Sequence, residues 1–210
     1  MRTRILVVAA LLAACGSATP APTAPASQAG GTRYRVGDYV VYRYAGRVVG
    51  PDPMLLMEEV IAQDGDRLVI EVTLTRGHET VRAWRQTVID TEENRAANHV
   101  ESLCQIEGET CTPLANEGNA DLMRLYEGLF VTPDGPATNV TTVDESVDVG
   151  GTEMTCHVTR SDIVVAGEPR TLKEIECPDF LWGHAGSDVE MPDKRRVLHV
   201  TVQAFGSAEG

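Results

Sequence analysis

Positive charges are scarce in this chain. It contains 18 Lys and Arg residues against 31 Asp and Glu residues, and its formal net charge is −13 at pH 7. Such an acidic surface is repelled by nucleic-acid phosphates and by anionic lipid headgroups. The composition therefore argues strongly against nucleic-acid binding, and it disfavours electrostatic docking on a membrane.

Motifs that would identify an enzyme or a metal site are also absent. The sequence has no GxSxG elbow, P-loop, dinucleotide-binding glycine pattern or EF-hand loop. His78-Glu79 begins like a zinc-protease motif, but Arg82 stands where the second histidine must be, which removes one metal ligand. We therefore expect no catalytic residues, no metal and no cofactor, and a protein that is not an enzyme.

Long hydrophobic runs are missing as well. The uncharged apolar segment Ile5 to Ala14 is too short to span a bilayer as a helix, and Arg2 and Arg4 precede it. A positively charged start followed by a short apolar run is typical of an export signal. The run ends in Leu12-Ala13-Ala14-Cys15, where small residues suit the narrow site of a signal peptidase.

The Leu12–Cys15 segment resembles the lipobox of bacterial lipoproteins. The resemblance implies that residues 1–14 are a signal peptide and that Cys15 becomes the lipidated first residue, with a diacylglycerol on its sulfur and an acyl chain such as palmitate on its amine. Gly16 stands where the best-known inner-membrane retention signal has Asp, which by the same resemblance implies the outer membrane. The alternative is an ordinary secretory signal with a chance cysteine.

A tether and a single domain follow. Residues 16–32 contain only Gly, Ser, Ala, Thr, Pro and Gln, so they lack the apolar groups needed to offset the entropy of ordering. With Cys15 they form a flexible tether, which reaches at most about 55 Å at roughly 3.3 Å per residue. Residues 33–210 have the size of one globular domain. Removal of Arg2 and Arg4 changes the net charge from −13 to −15.

Four cysteines remain in the domain: Cys104, Cys111, Cys156 and Cys177. An even number in an oxidising compartment predicts two structural disulfides, with three connectivities open. Cys104 and Cys111 bracket a polar loop that a disulfide would pin. No CxxC pair or histidine cluster accompanies them, so metal binding and a redox role are poorer interpretations.

Two turns bear on the connectivity. Gly150-Gly151 joins two alternating runs, which is a hairpin signal. If Ala166-Gly167 is a second two-residue turn, residues whose numbers sum to 333 lie opposite each other, and Cys156 and Cys177 meet that condition. The same register sets Arg160 opposite Lys173, an unfavourable pair that leaves a bulge or a different turn open.

Strand patterns dominate the rest of the domain. Residues 34–45 are aromatic and β-branched, residues 54–62 form an apolar run before Asp64-Gly65, and residues 68–75 and 197–204 alternate between apolar and polar. One apolar and one polar face per strand is typical of antiparallel sheets. The sequence predicts a mainly β (α+β) fold, a large curved antiparallel sheet or half-barrel with one or two short helices inserted mid-chain.

The predicted helices lie in the middle of the chain. Apolar residues recur at helical spacing after Asn119, a plausible N-cap, as far as Phe130, and Pro133-Asp134-Gly135-Pro136 then ends the run. A weaker helix is predicted for Glu92 to Leu103. The expected order is four strands, a helical insert and about four more strands, with the helix over the apolar face of the sheet.

Few residues are candidates for a binding site. Trp182 and His184 lie among glycines in the segment Phe180–Ser187 and are candidates for a ligand loop, although a tryptophan plug at the sheet edge is the favoured interpretation. Tyr39, Tyr42 and Tyr44 are candidates for a ligand groove or for the margin of the core. His99, His157 and His199 are interpreted as solvated histidines.

Two functional hypotheses follow from this pattern. The first is a lipid-anchored, non-enzymatic domain of the bacterial envelope that binds a protein or another envelope component. The alternative is a carrier of lipid or another apolar ligand, because the element order and location resemble the outer-membrane lipoprotein carriers with half-barrel folds. A carrier needs an apolar cavity of several hundred cubic ångströms, whereas an interaction module needs a flat exposed apolar patch.

Overall fold

The computed structural model describes residues 33–91, 93–94, 99–115 and 119–207, so Cys15 and the tether lie outside the described residues. The described chain forms an open antiparallel sheet of eleven strands and one short helix, which confirms the predicted mainly β fold. The elements are β1 (Tyr39–Ala45), β2 (Met54–Asp64), β3 (Arg67–Arg76), β4 (Glu79–Ile89), β5 (Ser102–Glu107), β6 (Thr110–Leu114), α1 (Ala120–Leu125), β7 (Thr138–Val149), β8 (Thr152–Val165), β9 (Glu168–Glu176), β10 (His184–Glu190) and β11 (Arg196–Gly206).

The strand order explains how the chain builds two halves. The order across the sheet is β6-β5-β4-β3-β2-β1-β11-β10-β9-β8-β7. Strands β1 to β6 run toward one edge, the chain then crosses to the opposite edge, and β7 to β11 return toward the middle. The halves are joined by the antiparallel pair β1–β11, in which Tyr44 lies opposite Val200.

Alternation of side chains gives the sheet its apolar face. In β3, Leu68, Ile70, Val72 and Leu74 are all buried, while the residues between them are more exposed. Burial of each such side chain contributes about 1.5–3 kcal/mol relative to leaving it exposed. Equivalent positions in the neighbouring strands extend one continuous core across the sheet.

The sheet curls so that distant strands approach each other. Gly150, in the turn between β7 and β8, packs against the side chains of Val202 and Phe205 in β11, although β7 lies four places from β11 in the sheet. Phe180 also packs edge-on against Phe205, with 5.1 Å between ring centroids. The apolar face is therefore the concave inner face of a partly rolled sheet.

Residues 119–137, named here the crossing segment, lie over this concave face. At one end, Arg82 of β4 donates from Nη1 to the carbonyls of Arg124, Leu125 and Glu127 at 3.2, 2.8 and 3.1 Å. At the other end, the N–H of Asp134 donates to the carbonyl of Val164 at 2.8 Å. The segment is thus fastened to both halves of the sheet.

The helical predictions need correction. Helix α1 ends at Leu125 rather than Phe130, because Gly128 adopts a left-handed conformation (φ 85°) and Arg82 binds the terminal carbonyls. Asn119 does occupy the N-cap position, but without a capping bond from its side chain. No helix among the described residues is long and apolar enough to cross a membrane.

The second predicted helix, Glu92 to Leu103, is wrong at its end. Ser102 and Leu103 belong to β5, while residues 92 and 95–98 lie outside the described residues. Cys104 and Cys111 do bracket residues 105–110, but this segment is a β-hairpin rather than the predicted loop, since Ile106 faces Cys111 across β5 and β6. The insert therefore follows six strands rather than four, and five strands come after it.

The predicted register between β8 and β9 is confirmed. Val165 lies opposite Glu168 and His157 opposite Glu176, so opposed residues sum to 333. Cys156 and Cys177 form a disulfide with 4.1 Å between Cα atoms, and Cys104 and Cys111 form another with 5.4 Å. Arg160 does face Lys173, but its guanidinium turns to Glu145 of β7 at 2.9 and 3.3 Å. That bidentate contact offsets the unfavourable pair without a bulge.

Candidate functional site

A cavity of about 340 Å³ lies between the concave face of the sheet and the crossing segment. Apolar and aromatic side chains form most of its wall, and residues from both halves of the sheet contribute. The lining residues are Tyr42, Tyr44, Glu58, Tyr126, Leu129, Phe130, Val131, Pro133, Ile163, Leu172, Glu174, Trp182, His184, Ser187, Val189, Leu198 and Val200. The site therefore exists only where the two halves and the crossing segment meet.

Glu58 places a carboxylate in this apolar wall. In β2 it lies on the same face as the buried Leu56 and Val60. It lies opposite Val40 of β1 and Val72 of β3. Burial raises the pKa of Glu58 from 4.5 to about 7, and the hydrogen bond from the Tyr126 hydroxyl opposes the rise. Glu58 thus changes charge near neutral pH.

Tyr126 contacts that carboxylate directly, and Tyr42 and Tyr44 line the same cavity. The Tyr126 hydroxyl donates to Glu58 Oε1 at 3.2 Å, and the Tyr126 ring packs edge-on against the fully buried Trp84 at 5.0 Å. Burial raises the pKa values of Tyr42, Tyr44 and Tyr126, and the negative charge of Glu58 raises each of them further. All three phenols are neutral at physiological pH and face the cavity as hydrogen-bonding rings.

A second carboxylate enters from the other half of the sheet. Glu174 of β9 lies between Thr159 of β8 and Ser187 of β10, and burial together with the neighbouring Glu176 raises its pKa. No Lys or Arg lines the described cavity. The cavity wall is consequently apolar and acidic, with no fixed positive charge.

Two arginines on the concave face, Arg82 and Arg170, are bonded to groups other than the cavity carboxylates. Arg82 donates to three carbonyls of the crossing segment. Arg170 of β9 forms an ion pair with Glu168 and donates to the carbonyl of Pro169 at 2.7 Å. Among the described residues no ion pair joins either guanidinium to Glu58 or Glu174, and the buried Nε of Arg170 has no hydrogen-bond partner.

Trp182 and His184, the two predicted ligand-loop residues, both line the cavity. The Trp182 ring packs against Tyr34 at 5.1 Å, and the Tyr34 hydroxyl donates to the carbonyl of Leu181 at 3.1 Å. The predicted plug at the sheet edge is wrong, because Trp182 lies between β9 and β10, which are internal strands of the sheet. Direct contact of either residue with a ligand stays a prediction.

His184 begins β10 rather than lying in a loop. Its carbonyl accepts a hydrogen bond from the Tyr42 hydroxyl at 3.0 Å, which ties the start of β10 to β1 across the intervening β11. Burial lowers the pKa of His184 from 6.5 to about 4, so the ring is neutral at physiological pH. Its buried Nδ1 has no hydrogen-bond partner among the described groups.

The remaining candidate residues lie apart from this cavity. Tyr39 packs against Gly206 and does not line it. His157 is exposed and bonded to Asp144 at 2.6 Å, while His199 is bonded to Asp188. His157 borders a second, shallower depression of about 290 Å³ beside Cys177 and Trp182. In the part of the chain that the structure describes, no group of three or more His, Cys, Asp or Glu residues is arranged to hold a metal ion.

Glu58 and Tyr126 were missed by the sequence interpretation. Residues 54–62 read as an apolar run, yet Glu58 shares the parity of Leu56 and Val60, the residues that face the core. A charged residue at a core-facing position of a strand is a usable signal of function. Tyr126 fits the helical spacing of residues 119–130, and nothing in the sequence links it to β2.

Comparisons with known proteins give fold likeness only. No family model and no curated protein matches the chain. A Bacteroides fragilis protein with a YmcC-like fold is 11% identical, with a TM-score of 0.41, over 82% of this chain and 97% of that one. MucB is 10% identical (TM-score 0.45), over 82% of this chain and 54% of its own. A hypothetical protein of Chlamydia trachomatis is 8% identical (TM-score 0.39), over 83% and 90%. Likeness at this level carries no argument about function.

Proposed function

We propose that this protein is a binding protein that holds a small, largely apolar molecule in the cavity beneath the crossing segment. The observation that carries the proposal is the cavity itself. Its volume of about 340 Å³ lies within the range of roughly 300–1,000 Å³ that is usual for ligand sites. Of the two hypotheses drawn from the sequence, a carrier is the one that requires such a space.

The arrangement of polar groups favours binding over catalysis. Among the described residues, the imidazoles bonded to a carboxylate are His157 and His199, and neither lines the cavity. The cavity histidine, His184, is held neutral by burial. Without a nucleophile paired to a base, Glu58 and the tyrosines serve to orient a ligand.

The direct test is native mass spectrometry of residues 33–210, produced in an oxidising periplasm and purified without detergent. A stoichiometric added mass that solvent extraction releases supports the proposal. A protein that leaves the host with no added mass, and that also fails to displace a fluorescent apolar dye, contradicts it. Substitution of Leu198 by Trp, which fills the cavity wall, serves as the variant expected to lose the added mass.

An envelope protein partner is the second candidate function. Among the described strands, edge strand β7 has no neighbour on its outer side. Val140, Val143 and Val164, in β7 and its neighbour β8, are 44%, 47% and 45% exposed. An open edge with exposed valines suits strand addition by a partner. If Val143→Asp abolishes capture of an envelope protein while the cavity still binds its ligand, the protein has this second role.

The proposed location is the bacterial cell envelope. We propose that lipid on Cys15 anchors the domain there, and that the membrane is the outer membrane. This location rests on the likeness of residues 12–15 to a lipobox and on Gly16. The uncharged tether at residues 16–32 would let the acidic domain stand away from an anionic surface.

A further inference from the structure

We propose that the ligand of the cavity is an organic cation, with an ammonium-type head beside Glu58 and an apolar body along the rest of the wall. This inference rests on the proposed function, because it names the chemical class that the same cavity selects. It depends on four observations: the position of Glu58, the tyrosine side chains of the same wall, the absence of Lys and Arg from the described lining, and the apolar remainder of that lining.

Glu58 is a carboxylate in an apolar wall, and no ion pair with a described residue neutralises it. It lies on the core-facing side of β2 between Leu56 and Val60, and its one hydrogen bond in the structure comes from a neutral phenol, that of Tyr126. A carboxylate held in an apolar wall without a cation is costly when ionised. A positive group arriving with a ligand removes that cost.

The rings supply a second attraction for the same charge. Tyr42, Tyr44 and Tyr126 all line the cavity, and the negative charge of Glu58 raises the pKa of each. Aromatic faces carry partial negative charge and attract cations within about 6 Å, most strongly where water is excluded. Tyr126 presents its hydroxyl to Glu58, while Tyr42 and Tyr44 add aromatic rings to the same wall. Aromatic side chains in a binding site suit quaternary and other alkylated ammonium groups.

The same wall rejects anions. Glu174 adds a second carboxylate, and among the described residues neither Arg82 nor Arg170 lines the cavity, although the Nε of Arg170 is buried without a hydrogen-bond partner. The carboxylate of a fatty acid would meet Glu58 and Glu174 and no positive charge among the described lining residues. The groups that could donate to it are all neutral: the tyrosine phenols, Trp182, Ser187 and the imidazole of His184. Electrostatic complementarity therefore separates a cationic amphiphile from an anionic one of equal length.

The chain lengths of the probes can be matched so that only the head group differs. Decyltrimethylammonium, decanol and decanoate share an apolar body and carry one positive charge, no charge and one negative charge. Each is titrated by calorimetry into the full domain near pH 8, where Glu58 is ionised. The cation is expected to bind at least about tenfold more tightly than the carboxylate, with the alcohol between them.

Two variants identify the group responsible. Glu58→Gln is expected to bring the cation to the affinity of the alcohol while leaving the alcohol unchanged. Glu59→Gln removes the same charge from the neighbouring residue, which lies opposite Tyr39 and Glu71 on the other face of β2. That control is expected to keep the preference. Near pH 5 the wild type should also lose most of it, because Glu58 is then protonated.

The outcomes separate this inference from the function on which it rests. Binding of decanol with no preference for the cation, or a preference that survives Glu58→Gln, overturns the cation assignment and leaves the apolar cavity site intact. Failure of all three probes to bind overturns both. Stronger binding of decanoate than of the cation overturns the electrostatic argument outright.

Discussion

At the scale of single residues, Glu58 makes the stability of this protein depend on pH. Its pKa is about 7 in the fold against an ordinary value of 4.5. A carboxyl group whose pKa is raised by folding stabilises the folded state fully below its unfolded pKa, and that stability is lost as the pH rises through the folded pKa. His184 acts in the opposite sense, because its lowered pKa removes stability as the pH falls from 6.5 toward 4.

The first prediction concerns Glu58→Gln. The variant is expected to be more stable than wild type near pH 8 by about 1–2 kcal/mol, a value reduced from the full shift because the cavity admits solvent. Near pH 4 the two proteins should be about equal. Urea unfolding across the pH range measures the difference. Equal pH profiles for wild type and variant would show that Glu58 titrates normally.

Gly186, four residues after Trp182, allows two strands of the sheet to approach closely. Gly186 has φ 153°, and a Cβ on it would lie 2.4 Å from the carbonyl oxygen of Val200, so it allows the backbones of β10 and β11 to approach. Gly151 also has a positive φ, 90°, but it faces open space. The two positions therefore separate a backbone clash from conformational strain alone.

The second prediction compares Gly186→Ala with Gly151→Ala. Gly151→Ala is expected to cost about 1 kcal/mol, the usual penalty of a left-handed conformation for a residue with a side chain. Gly186→Ala is expected to cost more than about 2 kcal/mol, because β10 must move away from β11. Chemical denaturation measures both values. Equal costs would mean that the approach of the two strands is not needed.

At the scale of elements, α1 has six residues and is too short to be stable alone. Its C-terminal carbonyls are satisfied by Arg82, which reaches them from β4. Arg85 of the same strand instead forms an exposed ion pair with Glu71 at 2.8 Å. Both are arginines on β4, yet one fastens the cover of the cavity and the other lies on the outer surface.

The third prediction is that Arg82→Met destabilises the domain by about 2 kcal/mol, since charge-assisted hydrogen bonds contribute roughly 1.5–3 kcal/mol. Hydrogen exchange should accelerate at the amides of residues 122–129. Arg85→Met, the matched control, should cost less than about 1 kcal/mol and leave that exchange unchanged. If both variants behave alike, Arg82 does not anchor the crossing segment.

Local patterns predicted the hairpins well, and longer connections less well. The turns at residues 150–151 and 166–167 set the register of β7 to β9, because a two-residue loop fixes the pairs that follow it; the register shifts only at the far end of β7, between Thr138 and Thr141. The β5–β6 hairpin was missed, since Cys104 to Leu114 is polar and lacks clear alternation. The bond between Tyr126 and Glu58 joins residues 68 apart in sequence, and no local pattern encodes such a contact.

At the scale of the whole molecule, the cavity depends on the pairing of the first and last strands. Tyr42 and Tyr44 come from β1, and Leu198 and Val200 come from β11. This pairing closes a loop of most of the domain and must form against a large entropy. A ligand that touches both strands would stabilise the junction of the two halves.

The fourth prediction concerns the anchor at Cys15. Wild-type protein expressed in a Gram-negative host should incorporate labelled palmitate, remain in the membrane fraction through a high-salt wash and be released by detergent, because acyl chains rather than charge hold it. Cys15→Ser should carry no label and appear in the soluble fraction. Its net charge without residues 1–14 would be −15, so no electrostatic attraction would retain it. Ser17→Ala, which leaves the cysteine in place, should behave as wild type. Membrane retention of Cys15→Ser would mean that the apolar segment Ile5 to Ala14 or the folded domain, not a lipid, carries the attachment.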